Sequence, residues 1–317
     1  MPAEVLWYKD LYANKVNRHI KDMENIIECK NLTHYYGKRM IYENLSFNVP
    51  KGRILGLLGK NGTGKTTTIN ILSGYLQPRF GECRIFGEEI SHMHPSLRKN
   101  IGLLIEGHVQ YQFMTIREIE KFYSAFYPGQ WRKDAYYGLM EKLKVAPGQL
   151  ISRMSCGQRS QVALGIILAQ NPELLILDDF SLGLDPGYRR LFVDYLRDYA
   201  RSENKTVFLT SHIIQDMERL IDDCIIMDYG RILVQQPVGE LLSTLHRFTC
   251  KVPEGYTMPE DKRFYHPSVI RTELETFSFL TKDEVENSLR ALNVPFEDLK
   301  CEIVNLEDAF IGLTGKY

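Results

Sequence analysis

Hydrophobic and polar residues alternate with a period of two along residues 24–58, and this pattern predicts β-strands. In the second such run, Leu45, Phe47 and Val49 all fall on one side of the predicted strand. Turn-forming residues interrupt the alternation at Tyr36-Gly37 and at Pro50-Lys51-Gly52. The first part of the chain therefore predicts strands that are separated by tight turns.

The period changes to a helical one between about residues 115 and 170, where Thr115 and Glu118 have the spacing of a capping box. Two short apolar runs follow, at 174–178 and 206–210, and such runs are typical of buried parallel strands. Residues 224–234, with Tyr229-Gly230 at their centre, have the pattern of a hairpin. Strands that alternate with helices in this way predict an α/β core.

A smaller unit with its own alternation follows this core. Phe248, Cys250 and Val252 alternate along one predicted strand, and Asn305 can cap a last helix that ends at Gly315. We therefore predict three regions: an N-terminal extension of residues 1–23, a core of residues 24–246 with a helical subdomain at about 107–170, and an accessory α+β unit of residues 247–317.

Composition narrows the possible functions. The 317 residues are 44% hydrophobic and 25% charged, which is ordinary for a protein with a sizeable core. A net charge of −1 gives no support to nucleic acid as a principal partner, because that usually requires a basic face. The six cysteines lack the spacing of a metal site and are typical of reduced thiols. No run approaches the ~18 apolar residues that a membrane span requires.

One segment carries a specific chemical pattern. Residues 59–66 have the sequence Gly-Lys-Asn-Gly-Thr-Gly-Lys-Thr, which is a phosphate-binding loop, and they lie between a strand-like run and a helical run. Its glycines permit successive backbone N–H groups to face one anion, and the helix N-terminus adds a partial positive charge. Lys65 is expected to reach the β- and γ-phosphates, and the Thr66 hydroxyl to ligate Mg²⁺. The chain is therefore predicted to bind a nucleoside triphosphate.

Two further segments fit the same chemistry. Asp178 and Asp179 follow the apolar run 174–177, so a buried strand brings a carboxylate beside the phosphate loop, where Asp178 can orient Mg²⁺ through water. The polar segment 154–158 opens an apolar helix and predicts a second anion site. Since this segment is too far along the chain to complete the same loop, it suits a phosphate presented by another subunit.

Together with Asp185 in Leu184-Asp185-Pro186 and with His212 at the end of the run 206–211, these segments resemble the ATP-binding cassette of ABC transporters. The resemblance covers nearly all of residues 24–245 and follows the family's order of motifs. Within this family, the chain more closely resembles the subgroup that contains the sodium-export and bacitracin-export ATPases. The C-terminal extension of that subgroup ends much like residues 306–315. The resemblance implies an α/β P-loop cassette with a RecA-like core, an antiparallel β subdomain and a helical subdomain.

The resemblance also implies roles for individual residues. Tyr36 would stack on adenine, although the adjacent Tyr35 could serve instead. The phosphates and Mg²⁺ would be bound by Gly59, Lys60, Asn61, Gly62, Thr63, Gly64, Lys65, Thr66 and Thr67. The γ-phosphate held by a partner cassette would be reached by Ser155, Gly157 and Gln158, while Asp185 would couple the two sites. His212 would hold the γ-phosphate and the attacking water.

Three positions depart from the family pattern. Cys156 replaces the usual second glycine of the segment that contacts the partner's nucleotide, and Glu106 stands where a glutamine that contributes to catalysis and to Mg²⁺ binding is usual. Asp179 takes the place of the glutamate expected to act as the general base. Because a displacement of about 1 Å can reduce a rate on the order of 10²-fold, the shorter side chain predicts ATP binding with slow hydrolysis.

The resemblance implies a cytoplasmic ATPase subunit that forms a head-to-tail dimer around two ATP–Mg²⁺, and a homodimer is the expected form. This dimer would drive a separate membrane-spanning permease at the inner face of the membrane, and export is the expected direction. The aromatic residues Tyr111, Phe113, Phe122, Tyr123, Phe126 and Tyr127 are candidates for docking that permease.

Two alternatives stay open. The first is a non-transport cassette protein, although Lys65 and Ser155 are only 90 positions apart and no coiled coil or zinc module separates them. The second is a poorly hydrolysing half of a heterodimer, which Asp179 and Cys156 would fit. The C-terminal unit follows His212, the last nucleotide motif, so we expect it to lie outside the ATP site.

Overall fold

The computed structural model describes residues 20, 22–105, 111–181 and 184–315. Glu106 and almost all of the predicted N-terminal extension lie outside these residues. The strands, in chain order, are β1 (Asn25–Tyr36), β2 (Arg39–Pro50), β3 (Ile54–Gly59), β4 (Phe80–Ile85), β5 (Glu88–Glu89), β6 (Ile101–Leu104), β7 (Leu174–Leu177), β8 (Thr206–Thr210), β9 (Asp223–Asp228), β10 (Arg231–Pro237), β11 (His246–Lys251), β12 (Tyr265–Ile270), β13 (Glu273–Ser278) and β14 (Glu297–Ile303).

The same residues also form ten α-helices. They are α1 (Lys65–Leu72), α2 (Pro95–Arg98), α3 (Ile116–Ser124), α4 (Lys133–Lys142), α5 (Cys156–Ala169), α6 (Pro186–Ser202), α7 (Ile214–Leu220), α8 (Val238–Thr244), α9 (Lys282–Ala291) and α10 (Leu306–Thr314). The capping box predicted from Thr115 and Glu118 is present at the start of α3, with both reciprocal hydrogen bonds.

A six-stranded sheet in the order β10-β9-β3-β8-β7-β6 forms the centre of the molecule. All its neighbouring strands pair in parallel except β9 and β10, which form the predicted antiparallel hairpin. Every residue of β7 and β8 is buried, as expected where helices cover both faces of a parallel sheet. The carboxyl ends of β3, β7 and β8 therefore share one edge, which is where ligands bind in open α/β sheets.

The second sheet, in the order β2-β1-β4-β5, is antiparallel. Leu45, Phe47 and Val49 of β2 are buried as their alternation predicts, and they pack in one cluster with Leu55 and Leu57 of β3. The α/β fold class with an antiparallel β subdomain is thereby confirmed.

The accessory unit has a third sheet, in the order β12-β13-β11-β14, with a small apolar core of its own around Phe248, Leu274 and Leu289. The last helix, α10, belongs elsewhere. Its side chains Leu306 and Phe310 pack in the large core that also contains Leu58 of β3. The boundary at residue 246 stays a prediction, but α10 joins the accessory sheet to the nucleotide-binding core.

Candidate functional site

A cavity of about 280 Å³ opens at the edge where β3, β7 and β8 end. Its wall combines the phosphate loop, the end of β1, the start of β2 and the segments that follow β7 and β8. The lining residues are Tyr36, Arg39, Ile41, Asn61, Gly62, Gly64, Lys65, Thr66, Thr67, Asp178, Asp179, Thr210, Ser211 and His212. Candidates that are separated by more than 170 positions in the sequence therefore meet around one space.

The phosphate loop connects β3 to α1 through backbone conformations that require glycine. Gly62 has a φ of 81° and Gly64 a φ of 105°, both in the left-handed region. A Cβ atom on Gly64 would lie 2.7 Å from the ring of Tyr42, which is too close for any side chain. The loop therefore brings its backbone and the N-terminus of α1 close to the cavity, as an anion-binding loop requires.

Lys65 is buried at the first position of α1. Its Nζ donates hydrogen bonds to the carbonyl oxygens of Gly59, at 2.7 Å, and of Lys60, at 3.0 Å. Burial lowers the pKa of Lys65, and the nearby carboxylates of Asp179 and Asp178 partly oppose that shift. The loop carbonyls thus hold the ammonium beside the loop, where it can replace a hydrogen bond to a carbonyl oxygen with one to a phosphate oxygen.

Asp178 follows directly after β7 and is buried. The Thr210 hydroxyl donates to its Oδ1 at 2.7 Å. Burial raises the pKa of Asp178 above its ordinary value, while the hydrogen bond from Thr210 and the charge of Lys65 act in the other direction. A hydrogen bond that the carboxylate accepts from the Thr66 side chain also lowers the pKa of Asp178, so the two predicted Mg²⁺ ligands are neighbours.

Asp179 is held in an unusual backbone conformation, with a φ of 44°. Its N–H donates to Thr210 Oγ1 at 3.0 Å, and its Oδ1 accepts the backbone N–H of His212 at 3.2 Å. Oδ2 lies 2.9 Å from Nε2 of His212 without the geometry of a hydrogen bond, and this buried oxygen has no hydrogen-bond partner among the described residues. An acceptor without a partner at a cavity wall suits a ligand or an attacking water.

The structure places Tyr36, and not Tyr35, in the cavity wall. Tyr36 is 49% exposed, and its ring packs edge-on against that of His34 with centroids 4.8 Å apart. One face of the Tyr36 side chain is therefore available to an aromatic base. Strand alternation alone could not choose between the two tyrosines, because it does not show on which side the phosphate loop lies.

Several predicted residues lie away from this cavity. Ser155 caps α5 through the backbone N–H of Gln158, at 3.2 Å, and Asp185 caps α6 through the N–H groups of Gly187 and Tyr188. Within the described part of the chain, Ser155, Gly157, Gln158 and Asp185 are all absent from the cavity wall. Any nucleotide that these residues contact must therefore lie outside the 280 Å³ cavity.

Two phosphate-loop residues also direct their side chains elsewhere. The Thr63 hydroxyl donates to the carbonyl of Lys60 at 2.8 Å, and the Lys60 ammonium donates to the carbonyl of Thr314 at 2.6 Å. The side chain of Lys60, predicted to bind phosphate, therefore points towards α10. The prediction for Glu106 lies outside the described residues.

Four lining residues were not found from the sequence: Arg39, Ile41, Thr210 and Ser211. Arg39 supplies a second cation, and its guanidinium would lie 3.2 Å from a Cβ atom on Gly62. The signal for it was weak, because it required knowing that the turn after Tyr36 brings the start of β2 over the phosphate loop. Thr210 and Ser211 could have been inferred from their position just before His212.

The chain is similar to known proteins of one family. The sequence model of the ABC transporter family matches residues 42–181. The bacitracin transport ATP-binding protein of Bacillus licheniformis is 30% identical, over 92% of this chain and 98% of that protein. The chain belongs to the ATP-binding subunits of ABC transporters. As a member, it binds ATP and is an ATPase subunit of a transporter.

Other similarities agree with this family. A Nod factor export ATP-binding protein from Ralstonia nicotianae is 29% identical, over 92% of this chain and 94% of the relative. A solved structure of an ATP-binding subunit of an ABC transporter matches this chain with a TM-score of 0.61 at 24% identity. The match covers 69% of this chain and 92% of the solved chain. A solved nucleotide-free ATP-binding cassette matches with a TM-score of 0.58 at 22% identity, over 68% of this chain and 93% of the solved chain. The solved structures share the fold.

Subunits of this family dimerise and work with membrane permeases. None of the helices in residues 22–105, 111–181 and 184–315 is both long and apolar enough to cross a bilayer.

Proposed function

We propose that the 280 Å³ cavity binds ATP–Mg²⁺ and hydrolyses it to drive a permease subunit. The observation that carries this proposal is the convergence of Lys65, Asp178, Asp179 and His212 on one space. In this arrangement the loop N–H groups and Lys65 hold the β- and γ-phosphates, and the ring of Tyr36 stacks on adenine. Arg39 adds a second positive charge to the cavity wall.

The residues present fit a magnesium ion. The hydroxyl of Thr66 and the carboxylate of Asp178 are neighbouring oxygen donors, which are the ligands that Mg²⁺ prefers. When bound, Mg²⁺ neutralises charge on the β- and γ-phosphate oxygens. The buried Thr210 hydroxyl keeps Asp178 oriented through a 2.7 Å hydrogen bond.

Asp179 is the residue that we propose as the general base. Its Oδ2 accepts the proton of the attacking water, and Nε2 of His212, 2.9 Å away, orients that water against the γ-phosphate. Lys65 balances the charge that develops on the phosphate oxygens. Because aspartate is one methylene shorter than glutamate, Oδ2 of Asp179 lies closer to β7 than a glutamate oxygen would. It therefore extends less far towards the water, and we expect slow turnover.

The site is completed by a second copy of the chain. Ser155, Gly157 and Gln158 lie at the N-terminus of α5, outside the cavity, and the exposed start of this helix is suited to an anion that another molecule presents. Head-to-tail pairing would bring it to the γ-phosphate of the partner. Homodimerisation is the simplest arrangement, and a heterodimer with a second cassette is the alternative.

A cluster of exposed aromatic rings is the proposed docking surface for the permease. Tyr111, Phe113, Phe122 and Phe126 are 44%, 73%, 36% and 56% exposed and touch edge to face, with centroids 5.3–5.9 Å apart. Connected exposed rings of this kind mark interaction sites more often than scattered ones do. Since two relatives carry transport and export names, we propose export as the direction.

Replacing Phe113 and Phe126 with alanine is expected to reduce association with the permease by at least about tenfold, because two large apolar contacts would be lost. ATP affinity of the isolated subunit should stay within about twofold, since neither residue lines the cavity. Co-purification with the membrane-spanning subunit of a neighbouring gene measures the first effect, and calorimetric titration measures the second.

Phe80→Ala is the matched control, because Phe80 is 69% exposed but lies on β4 in the antiparallel β subdomain. Undiminished association of the Phe113→Ala/Phe126→Ala protein would contradict the docking surface. If no membrane-spanning subunit associates with the wild type, the transport role of this chain is contradicted as well.

A further inference from the structure

The last helix, α10, contacts both the helix that follows His212 and the phosphate loop, through its two opposite ends. At the first end, the backbone N–H of Leu306 donates to Oε2 of Glu218 at 2.9 Å, and Gln215 Nε2 donates to Glu307 Oε2 at 3.0 Å. Glu218 and Gln215 lie on α7, which begins two residues after His212. A carboxylate at a helix N-terminus also interacts favourably with the helix dipole.

At the other end, Lys60 of the phosphate loop donates its ammonium proton to the carbonyl oxygen of Thr314 at 2.6 Å. This carbonyl is one of the last in α10, where the free carbonyls carry a partial negative charge, so the contact is a charge-assisted hydrogen bond. Thr314 itself is buried, and Gly315 ends the helix with a φ of 80°. The C-terminal end of α10 is therefore fixed in position.

The contact continues from Lys60 into the ATP site. The carbonyl oxygen of Lys60 accepts the ammonium of Lys65 at 3.0 Å and the hydroxyl of Thr63 at 2.8 Å. A movement of the backbone at residue 60 would therefore displace the groups that hold Lys65. Two hydrogen bonds in series, one at each end of Lys60, connect the end of α10 to Lys65, the lysine that we propose to face the phosphates.

Between its ends, α10 does not close against the loop. A cavity of about 580 Å³ separates them, and Gly59, Ser211, His212, Phe310 and Ile311 are among the residues that line it. Leu306 and Phe310 pack in the core that contains Leu58 of β3, and the polar contacts at the two ends of α10 add specific links to the loop and to α7. The accessory sheet packs closely on α10, because the ring of Phe277 on β13 lies against Gly312, where a Cβ atom would be 2.5 Å away.

We propose that α10 is a strap that sets the conformation of the phosphate loop, and that Lys60 is the positioning residue through which it acts. The proposal rests on the ATP-binding role proposed for the loop. Displacement of the accessory unit would break the hydrogen bond between Lys60 and Thr314 and weaken nucleotide binding. A partner that binds the accessory sheet would therefore change ATP affinity without touching the ATP site. The C-terminal unit is then coupled to the ATP site, although it contributes no residue to the 280 Å³ cavity.

Three variants test the strap: Lys60→Met, which keeps an unbranched chain of similar length but no donor; Lys60→Arg, which keeps a cationic donor; and Glu218→Ala, at the opposite end. In the full-length protein, Lys60→Met should weaken ATP–Mg²⁺ affinity on the order of tenfold, and Lys60→Arg should restore most of it. Glu218→Ala, which is outside both cavities, should weaken affinity by a smaller factor.

A double-mutant cycle separates the strap from a direct contact between Lys60 and nucleotide. If α10 transmits the effect, Glu218→Ala should add little in the Lys60→Met background, whereas independent effects would multiply. Full additivity, or no effect of Glu218→Ala alone, would overturn the strap and leave Lys60 as a simple phosphate contact. Unchanged affinity of Lys60→Met would overturn it too.

Hydrogen exchange of the nucleotide-free protein decides the same question without ATP. Lys60→Met and Glu218→Ala should both accelerate amide exchange across residues 59–65, while Lys60→Arg should not. Equal exchange in all four proteins would contradict the strap even if ATP binding is intact. Absence of ATP binding in the wild type would instead contradict the proposed function, and the exchange result would still stand for or against the strap.

Discussion

Replacing Lys65 with alanine should reduce the affinity for ATP–Mg²⁺ by at least about 100-fold. Lys65 is the buried cation of the cavity wall, and its ammonium is already held between two loop carbonyls at 2.7 and 3.0 Å. Its removal takes away a charged hydrogen-bond donor from a desolvated site, where such interactions are strongest. Calorimetric titration with ATP–Mg²⁺ measures the loss.

Lys133→Ala is the matched control, because Lys133 is exposed at the start of α4 and does not line the cavity. Thermal unfolding of both variants shows whether the loss is local, since Lys65 also stabilises the empty loop. A folded Lys65→Ala protein with an affinity close to wild type would contradict the assignment of the loop.

Changing Asp179 to asparagine should lower steady-state phosphate release by about 10²–10⁴-fold, the usual contribution of a general base. Asparagine is nearly isosteric, tolerates the φ of 44° at this position, and can keep the hydrogen bond from the His212 N–H through its Oδ1. The substitution therefore removes the proton acceptor with little other change. ATP binding should persist.

Asp179→Glu should act in the opposite direction, because one more methylene extends the carboxylate into the cavity and towards the water. We expect a rate above that of the wild type, measured by phosphate release with the permease present. The heterodimer hypothesis makes a different forecast: no turnover by the isolated chain, and no difference between wild type and Asp179→Asn. Equal rates for these two proteins would exclude Asp179 as the base.

Much of the site could be predicted because its chemistry is local in sequence. The glycine pattern of residues 59–66 determines the loop, and the apolar runs before Asp178 and His212 predict parallel strands whose ends must meet. Likewise, Ser155 and Thr115 sit at helix starts with a partner three residues later, so their capping boxes were predictable from spacing alone.

The remaining features depend on long-range packing. Lys60 and Thr314 are 254 positions apart, and nothing in the local pattern of either shows that they meet. The periodicity of residues 306–314 predicted a helix correctly, but an apolar face does not specify which core it enters. The choice of Tyr36 over Tyr35 and the presence of Arg39 in the wall also follow from how β1 and β2 turn over the loop.

We propose that ATP binds at the phosphate loop and is enclosed by a second copy of the chain. Light scattering of two Ser155 variants, with and without ATP–Mg²⁺, tests it most directly. Aspartate and asparagine both cap a helix as well as serine does, so α5 stays intact in Ser155→Asp and Ser155→Asn. Only the first adds a negative charge at the position that we propose to face the γ-phosphate of the partner.

We expect ATP–Mg²⁺ to convert the wild type and Ser155→Asn from monomer to dimer, and ADP to leave them monomeric. Ser155→Asp should bind ATP with unchanged affinity and stay monomeric, because like charges across the interface repel. Dimerisation of Ser155→Asp at the wild-type ATP concentration, or a wild type that binds ATP and stays monomeric, would contradict the account.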